Sequence, residues 1–179
     1  MKNWFRPKFT LRVKKLHPSA KLPVRALNLD NGYDLFLSGL DEVDPKDLQG
    51  AHVIWEDGKR VGVAIRPGGF AKLPLGISTA FDPSYGGFIF DKSSVGNNGL
   101  KYLGGVIEGT YRGPWAVMLA NIKTYSAIVG TYPRNTIELR VGQKICQVVF
   151  LPLIRPEVVE VDELDETERK GGFGSTGSM

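Results

Sequence analysis

The amino-acid sequence predicts an all-β protein, a sandwich or barrel, on three observations. Apolar and polar residues alternate with period two along most of the chain. Gly and Pro, 22 and 11 residues, punctuate these runs at short intervals, as turns between short strands require. No stretch carries an amphipathic helical pattern over three turns.

The runs follow in order. "FTLRVKKL" (9–16) alternates apolar and basic residues, and "GYDLFLS" (32–38) places Asp34 inside a strand. "AHVIWEDGKRVGVAI" (51–65) holds two alternating runs joined by Asp57-Gly58, the strongest short-range hairpin signal. "GGFIFDKS" (86–93), "GPWAVMLANI" (113–122), "TIELRVGQKICQVVFLPL" (136–153) and the acidic "PEVVEVDEL" (156–164) read as further strands. There is no internal repeat and no linker long enough to divide the chain. The reading is one β domain over 1–168, followed by a mobile Gly-rich arm over 169–179.

Composition narrows the class. The chain has 179 residues, 42% hydrophobic and 23% charged, enough for one domain with a sizeable core. No apolar run approaches membrane-spanning length, and the first residues lack the apolar block of a signal peptide. The single cysteine, Cys146, lies in an apolar run and is expected to pack as a small hydrophobe. A cytoplasmic setting is the expectation. The net charge of +4 is uneven: residues 2–25 hold only bases among their charged residues, and 156–168 hold seven acids and no base. The basic end lacks the interleaved aromatics that stack bases, so stable nucleic-acid binding is not expected; attraction between the two ends, within a chain or between copies, is. His17 and His52 have no metal-ligand spacing. Trp4, Trp55 and Trp115 are read as packing residues.

Several segments carry candidate chemistry. "YLGGVIEGTYRGPW" (102–115) sets Glu108 as a lone carboxylate among apolar and glycine residues, a candidate base or an ordinary strand-end acid. "FDKSSVGNNG" (90–99) puts Lys92, Ser93 and Ser94 before a turn, a phosphate grip or a polar loop. Gln147 stands in an otherwise apolar strand, where its amide needs a partner. The closing "GGFGSTG" (171–177) is a frayed tail or an anion-wrapping flap, since backbone N–H groups without Cβ atoms can surround phosphate.

In this order the segments resemble the five motifs of the homotrimeric dUTP diphosphatases, the dUTPase family: "NGYDLFLS", "DKSS", "GGVIEGTYRG", "GQKICQVVF" and "RKGGFGSTG". The resemblance covers roughly 9–177 and implies a jelly-roll-like, distorted β-barrel. It implies an enzyme that hydrolyses dUTP to dUMP and pyrophosphate, keeping uracil out of DNA, with Mg²⁺ and with active sites shared between three subunits. It implies roles residue by residue. Glu108 would be the catalytic base, and Tyr111 would pack on deoxyribose and exclude a 2′-hydroxyl. The backbone at Gly105 and Val106 would read uracil. Lys92, Ser93, Ser94 and Gln147 would bind phosphate, and Asp34 would hold a water on Mg²⁺. In the flap, Phe173 would cover uracil, Gly174, Ser175 and Thr176 would hold the terminal phosphates, and Arg169 would clamp them.

The sequence departs from the family at identifiable points. Glu108 stands where the family has Asp, Lys92 where it has Arg, and Gln143 where an Asp precedes the fourth-motif base. The fifth motif is one residue short between Arg169 and Phe173, so either Arg169 or Lys170 is the clamp. The section 39–66 is longer than the family minimum. Two alternatives therefore stay open at this point. One is a dCTP deaminase or bifunctional enzyme of the same fold, which "SSVG" resembles; the absence of any acid between Glu108 and Glu138 counts against it. The other is a slow, nucleotide-binding regulator that acts on another protein.

Overall fold

The structure is a computed structural model that describes residues 10–124, 128–129 and 132–166. In chain order the strands are β1 (Arg12–Lys15), β2 (Tyr33–Phe36), β3 (Leu48–Glu56), β4 (Lys59–Pro74), β5 (Ile77–Ala80) and β6 (Tyr85–Phe90). The short helix α1 (Ser93–Asn97) precedes β7 (Leu100–Leu103), β8 (Val106–Glu108), β9 (Ala116–Asn121), β10 (Ile128–Val129), β11 (Tyr132–Pro133), β12 (Ile137–Arg140) and β13 (Lys144–Pro152). At five residues, α1 is too short to impose a helical period on the sequence, which is why period-two reading passes over it.

Two sheets carry the fold. One runs β12-β4-β9-β7, with β3 also paired to β4; the other runs β2-β13-β6-β8. β1 pairs with β5 and β10 with β11 as separate ribbons, so the described strands form an open, jelly-roll-like arrangement without a closed ring. The core lies between the two sheets. Leu35, Ile89 and Val148 come from one, and Val63, Ile65, Leu73, Val117, Leu119 and Leu139 from the other. Strand alternation explains the choice: in β9, Val117, Leu119 and Asn121 point inward while Met118 faces out. Burying each Leu or Ile contributes roughly 1.5–3 kcal/mol. The buried Asn121 amide donates to the carbonyls of Ile65 (2.9 Å) and Asn135 (2.8 Å), tying the end of β9 to β4.

The Asp57-Gly58 step is the tip of the β3–β4 hairpin, with φ of +48° and +73°. Two positive φ values make a type I′ turn, whose twist matches the strands and which glycine adopts without strain. This hairpin occupies much of the section 39–66. The Arg60 guanidinium donates to the carbonyls of Leu40 (2.8 Å) and Val43 (3.1 Å) and lies 5.3 Å from the Trp55 ring, folding the hairpin back on the chain before it.

Two expectations change. Trp115 is core, but Trp55 is 57% exposed and lies against the Arg60 guanidinium; Trp4 lies outside the described residues. "PEVVEVDEL" forms no strand within its own chain, and Val158 and Leu164 are 92% and 84% exposed. Alternation supplies a strand tendency, but a strand also needs an edge to pair with, and 156–164 pairs with no described strand.

Cys146 is fully enclosed in β13, and burial pushes its thiol up to about 12. The thiol is therefore expected to resist alkylation by iodoacetamide in the folded chain and to react fully in denaturant; fast labelling of the native protein would contradict the packing described.

Candidate functional site

Strand β6 organises the site: the second motif segment follows its last residue, and the third runs antiparallel beside it from Gly105, next to Ile89, to Glu108, opposite Gly86. β8 lies along one side, with Glu108 opposite Gly86, and β13 lies along the other, with Gln147 opposite Phe90. Four residue steps along β6 separate those positions, about 13 Å at ~3.3 Å per residue, with the width of the sheet in addition.

At the β8 end, Glu108, Val106, Tyr111, Pro114, Trp115 and Lys72 line a cleft of 310 Å³. Glu108 is exposed and its carbonyl accepts the Tyr111 amide at 3.0 Å. The Tyr111 hydroxyl donates to the Pro114 carbonyl at 3.2 Å, and its ring is 44% exposed. The turn is held from within by Arg112, whose guanidinium donates to the carbonyls of Gly109 (2.7 Å) and Tyr111 (3.0 Å). Ser78 Oγ donates to the Arg112 carbonyl at 2.8 Å. Gly105 has φ of +149°, and a Cβ there would lie 2.8 Å from Ile89 Cβ, so only glycine lets the chain pass this close to β6. Its carbonyl accepts the Ile89 amide at 2.8 Å.

At the β13 end, Asp34, Asp91, Lys92, Lys144 and Gln147 form one network. Asp34 is buried and receives the Lys92 ammonium on Oδ1 and the Lys144 ammonium on Oδ2 at 2.7 Å. Burial raises its carboxyl pKa, but the hydrogen bonds and charges of Lys144 and Lys92 outweigh this and hold it below the ordinary carboxylate value. Gln147 finds the partner its position demands, donating to the Asp91 carbonyl at 2.9 Å. Asp91 accepts the Tyr102 amide (2.8 Å) on Oδ1 and the Lys101 ammonium (2.5 Å) on Oδ2. These contacts pin the turn that leads into α1, whose first two residues are Ser93 and Ser94.

The structure thus gathers Asp34, Lys92 and Gln147 at one end of β6, with Ser93 and Ser94 adjacent; Gly105 and Val106 lie beside Ile89 and Phe88 towards that end, and Glu108 and Tyr111 towards the other. It does not bring the two groups together within one chain. Arg169, Lys170, Phe173, Gly174, Ser175 and Thr176 lie outside the described residues. Sequence reading passed over Arg112 and Asp91 as site residues and marked Lys144 only as the basic residue of the fourth segment. Asp91 and Arg112 stand inside quoted motifs, but their bonds go mainly to main-chain groups and leave no compositional mark.

Among the described residues, no three His, Cys, Asp or Glu side chains converge as a metal site. Both oxygens of Asp34 face ammonium groups, so the donor set does not fit a Mg²⁺ ion bound directly by the protein. No helix among the described residues is long and apolar enough to cross a membrane.

The dUTPase family profile matches residues 60–177. The chain is similar to the deoxyuridine 5'-triphosphate nucleotidohydrolase of Arabidopsis thaliana, 34% identical over 167 residues, covering 93% of this chain and 82% of that protein. The enzyme of that name from Clostridium tetani is 31% identical over 173 residues, covering 94% and 97%. Among solved structures, the Staphylococcus bacteriophage 80alpha dUTPase with dUPNHPP superposes with a TM-score of 0.72 at 23% identity, covering 94% of this chain and 99% of that one. A mutant dUTPase from phage phi11 of S. aureus, described with a structural Mg(II) ion, gives 0.67 at 20% identity over 88% and 99%. Matched over most of its length by both the profile and its relatives, the chain belongs to the dUTPase family.

Proposed function

We propose that the chain is a dUTP diphosphatase that hydrolyses dUTP to dUMP and pyrophosphate, limiting uracil in DNA, and that it works as a homotrimer with shared active sites. The observation that carries the reading is the division of the motif residues between the two ends of β6 in a chain of this family. A site needing both groups is completed when the β13 end of one copy faces the β8 end of another. The exposed acidic arm 156–164 and the basic, exposed Arg12, Lys14 and Lys15 of β1 supply complementary charge for such a contact.

Along β8, the main chain at Gly105 and Val106 reads the uracil edge and the Tyr111 ring packs on deoxyribose, leaving no room for a 2′-hydroxyl. Glu108 accepts a proton from the attacking water. The water oxygen bonds to the α-phosphorus, the bond from that phosphorus to the αβ-bridging oxygen breaks, and pyrophosphate leaves. Glu108 reaches one methylene further than Asp, and the adjoining Gly109 gives the backbone freedom to accommodate it. At the β13 end, Lys92, Ser93, Ser94 and Gln147 bind the polyphosphate. Mg²⁺ arrives with the triphosphate, as part of the substrate. The segment 169–179 closes over the nucleotide as a flap, with Phe173 on uracil, Gly174, Ser175 and Thr176 on phosphate, and Arg169 or Lys170 as clamp.

Glu108→Gln is expected to lower kcat for dUTP by about 10²–10⁴-fold while leaving affinity for a non-hydrolysable dUTP analogue nearly unchanged. The assay is pyrophosphate release from dUTP, dCTP, dTTP and UTP in parallel. Tight dUTP binding by the unmodified chain without turnover would replace the enzyme reading with that of a nucleotide-binding regulator.

The depressed Asp34 carboxyl also sets a pH dependence. A group whose folded pKa lies below its unfolded value, ~3.9 for Asp, stabilises the fold above that value and ceases to as pH falls through the folded pKa. Asp34→Asn should therefore melt below wild type near neutral pH, and the gap should narrow below about pH 4. Melting curves of both proteins across that range check it; a constant gap would contradict the ion-pair account.

A further inference from the structure

Gly109 is buried between two exposed residues, Glu108 and Thr110. Beyond freedom, glycine supplies closeness there. Its φ lies outside the left-handed region, so it is contact that excludes a side chain. A Cβ on residue 109 would lie 2.9 Å from the Phe81 carbonyl oxygen, 2.9 Å from Pro83 Cα and 3.0 Å from the Asp82 carbonyl oxygen, whereas ordinary contact begins near 3.4 Å. All three are main-chain atoms, and no change of rotamer moves them aside.

The segment they belong to is braced on several sides. The Asp82 carbonyl accepts the Tyr85 amide at 3.0 Å, and the Asp82 carboxylate accepts the Ser84 amide (2.8 Å) and hydroxyl (2.7 Å). The Pro83 carbonyl accepts the Arg155 guanidinium, and the Ser84 carbonyl accepts the Leu153 amide at 2.8 Å. Phe81 is buried and meets the Phe150 ring edge to face, with centroids 5.1 Å apart. Residues 81–84 therefore form a wall that does not yield. Arg112 holds the turn against it, donating to the carbonyls of Gly109 (2.7 Å) and Thr79 (3.3 Å).

Any side chain at 109 would set the turn further from this wall. Glycine thus lets the backbone that carries Glu108 sit back. Among the described residues, Glu108 and Tyr111 line the cleft while Gly109 and Phe81, Asp82 and Pro83 do not, so the set-back is away from the cleft. Glu108 stands where the family has Asp, and its side chain is longer by one carbon–carbon bond, about 1.5 Å. The retracted backbone and the longer side chain offset each other.

We propose that Gly109 is a positioning residue for Glu108: it draws the turn back onto the wall, and the extra methylene of Glu108 returns the carboxylate to the attacking water. The inference rests on the dUTP reading above and makes the departure from Asp one half of a matched pair. Glu108→Asp alone leaves the carboxylate short of the water. Gly109→Ala alone pushes it too far forward. Made together, the two changes cancel.

The test is a double-mutant cycle. Pyrophosphate release from dUTP with Mg²⁺ is followed for wild type, Glu108→Asp, Gly109→Ala and the double variant, and a non-hydrolysable dUTP analogue is titrated into each by calorimetry. Each single variant should lower kcat by about 10²-fold, the cost of displacing a reacting group by ~1 Å, with analogue affinity within about threefold of wild type. The double variant should be faster than either single one, because the second change repairs the first. A glycine that served folding alone would give losses that multiply, and that result would overturn the proposal, as would an equal loss of analogue affinity. Should Gly109→Ala fail to fold, Glu108→Asp alone decides: a lower kcat at unchanged analogue affinity is expected, and activity equal to wild type or above it contradicts the pairing. If wild type hydrolyses dUTP and the losses multiply, this inference alone fails; if wild type does not hydrolyse dUTP, the parent reading fails with it.

Discussion

The register of β6 between β13 and β8 governs what a single chain can and cannot do. Hydrogen-bond pairing sets Gln147 opposite Phe90 and Glu108 opposite Gly86. No side-chain rotamer can undo a separation of about 13 Å along a strand. A lysine and a glutamate reach only part of that distance, and the sheet between them is rigid. The same pairing buries Ile89 and Val148 in the core, so stability and site geometry depend on one set of contacts. Division of the reactive groups is thus a consequence of the fold, and assembly is the way to reunite them.

Each end of β6 is prepared in a different way. The third-motif turn is organised by main-chain bonds: Arg112 gathers two neighbouring carbonyls, and Gly105 lets the backbone run close against Ile89. Main chain held in this way presents fixed donors and acceptors, suited to reading a flat base. The other end is organised by charge. A buried carboxylate collects two ammonium groups, and an amide, Gln147, fixes the turn between them. Burying Asp34 costs solvation, which two cations and their hydrogen bonds offset, and the surplus positive charge is left where an anion can reach it.

Much of this was legible in the sequence. Alternation located the strands because side chains of successive residues face opposite sides of a sheet. Asp57-Gly58 marked its hairpin because few residue pairs tolerate two positive φ values. Five motifs in order marked the family, although Glu108, Lys92 and Gln143 each depart from its pattern. What stayed hidden depended on partners distant in the chain. Lys144 reaches Asp34 only through an irregularity in β13, which no local pattern announces. Trp55 looked like a packing residue, yet it is largely exposed, with the Arg60 guanidinium over its ring. The 156–164 arm has the alternation of a strand but pairs with no described strand, and a tendency becomes a strand only when a partner is present.

Subunit complementation tests the division of the site most directly. Glu108→Gln damages the β8 end and Lys92→Ala the β13 end, and each homogeneous protein should be nearly inactive on dUTP. Unfolded together and refolded as mixed assemblies, they should regain a clear fraction of wild-type activity, because some sites then draw an intact Glu108 from one chain and an intact Lys92 from another. Activity that never exceeds the average of the two variants would contradict the account and place the whole site within one chain.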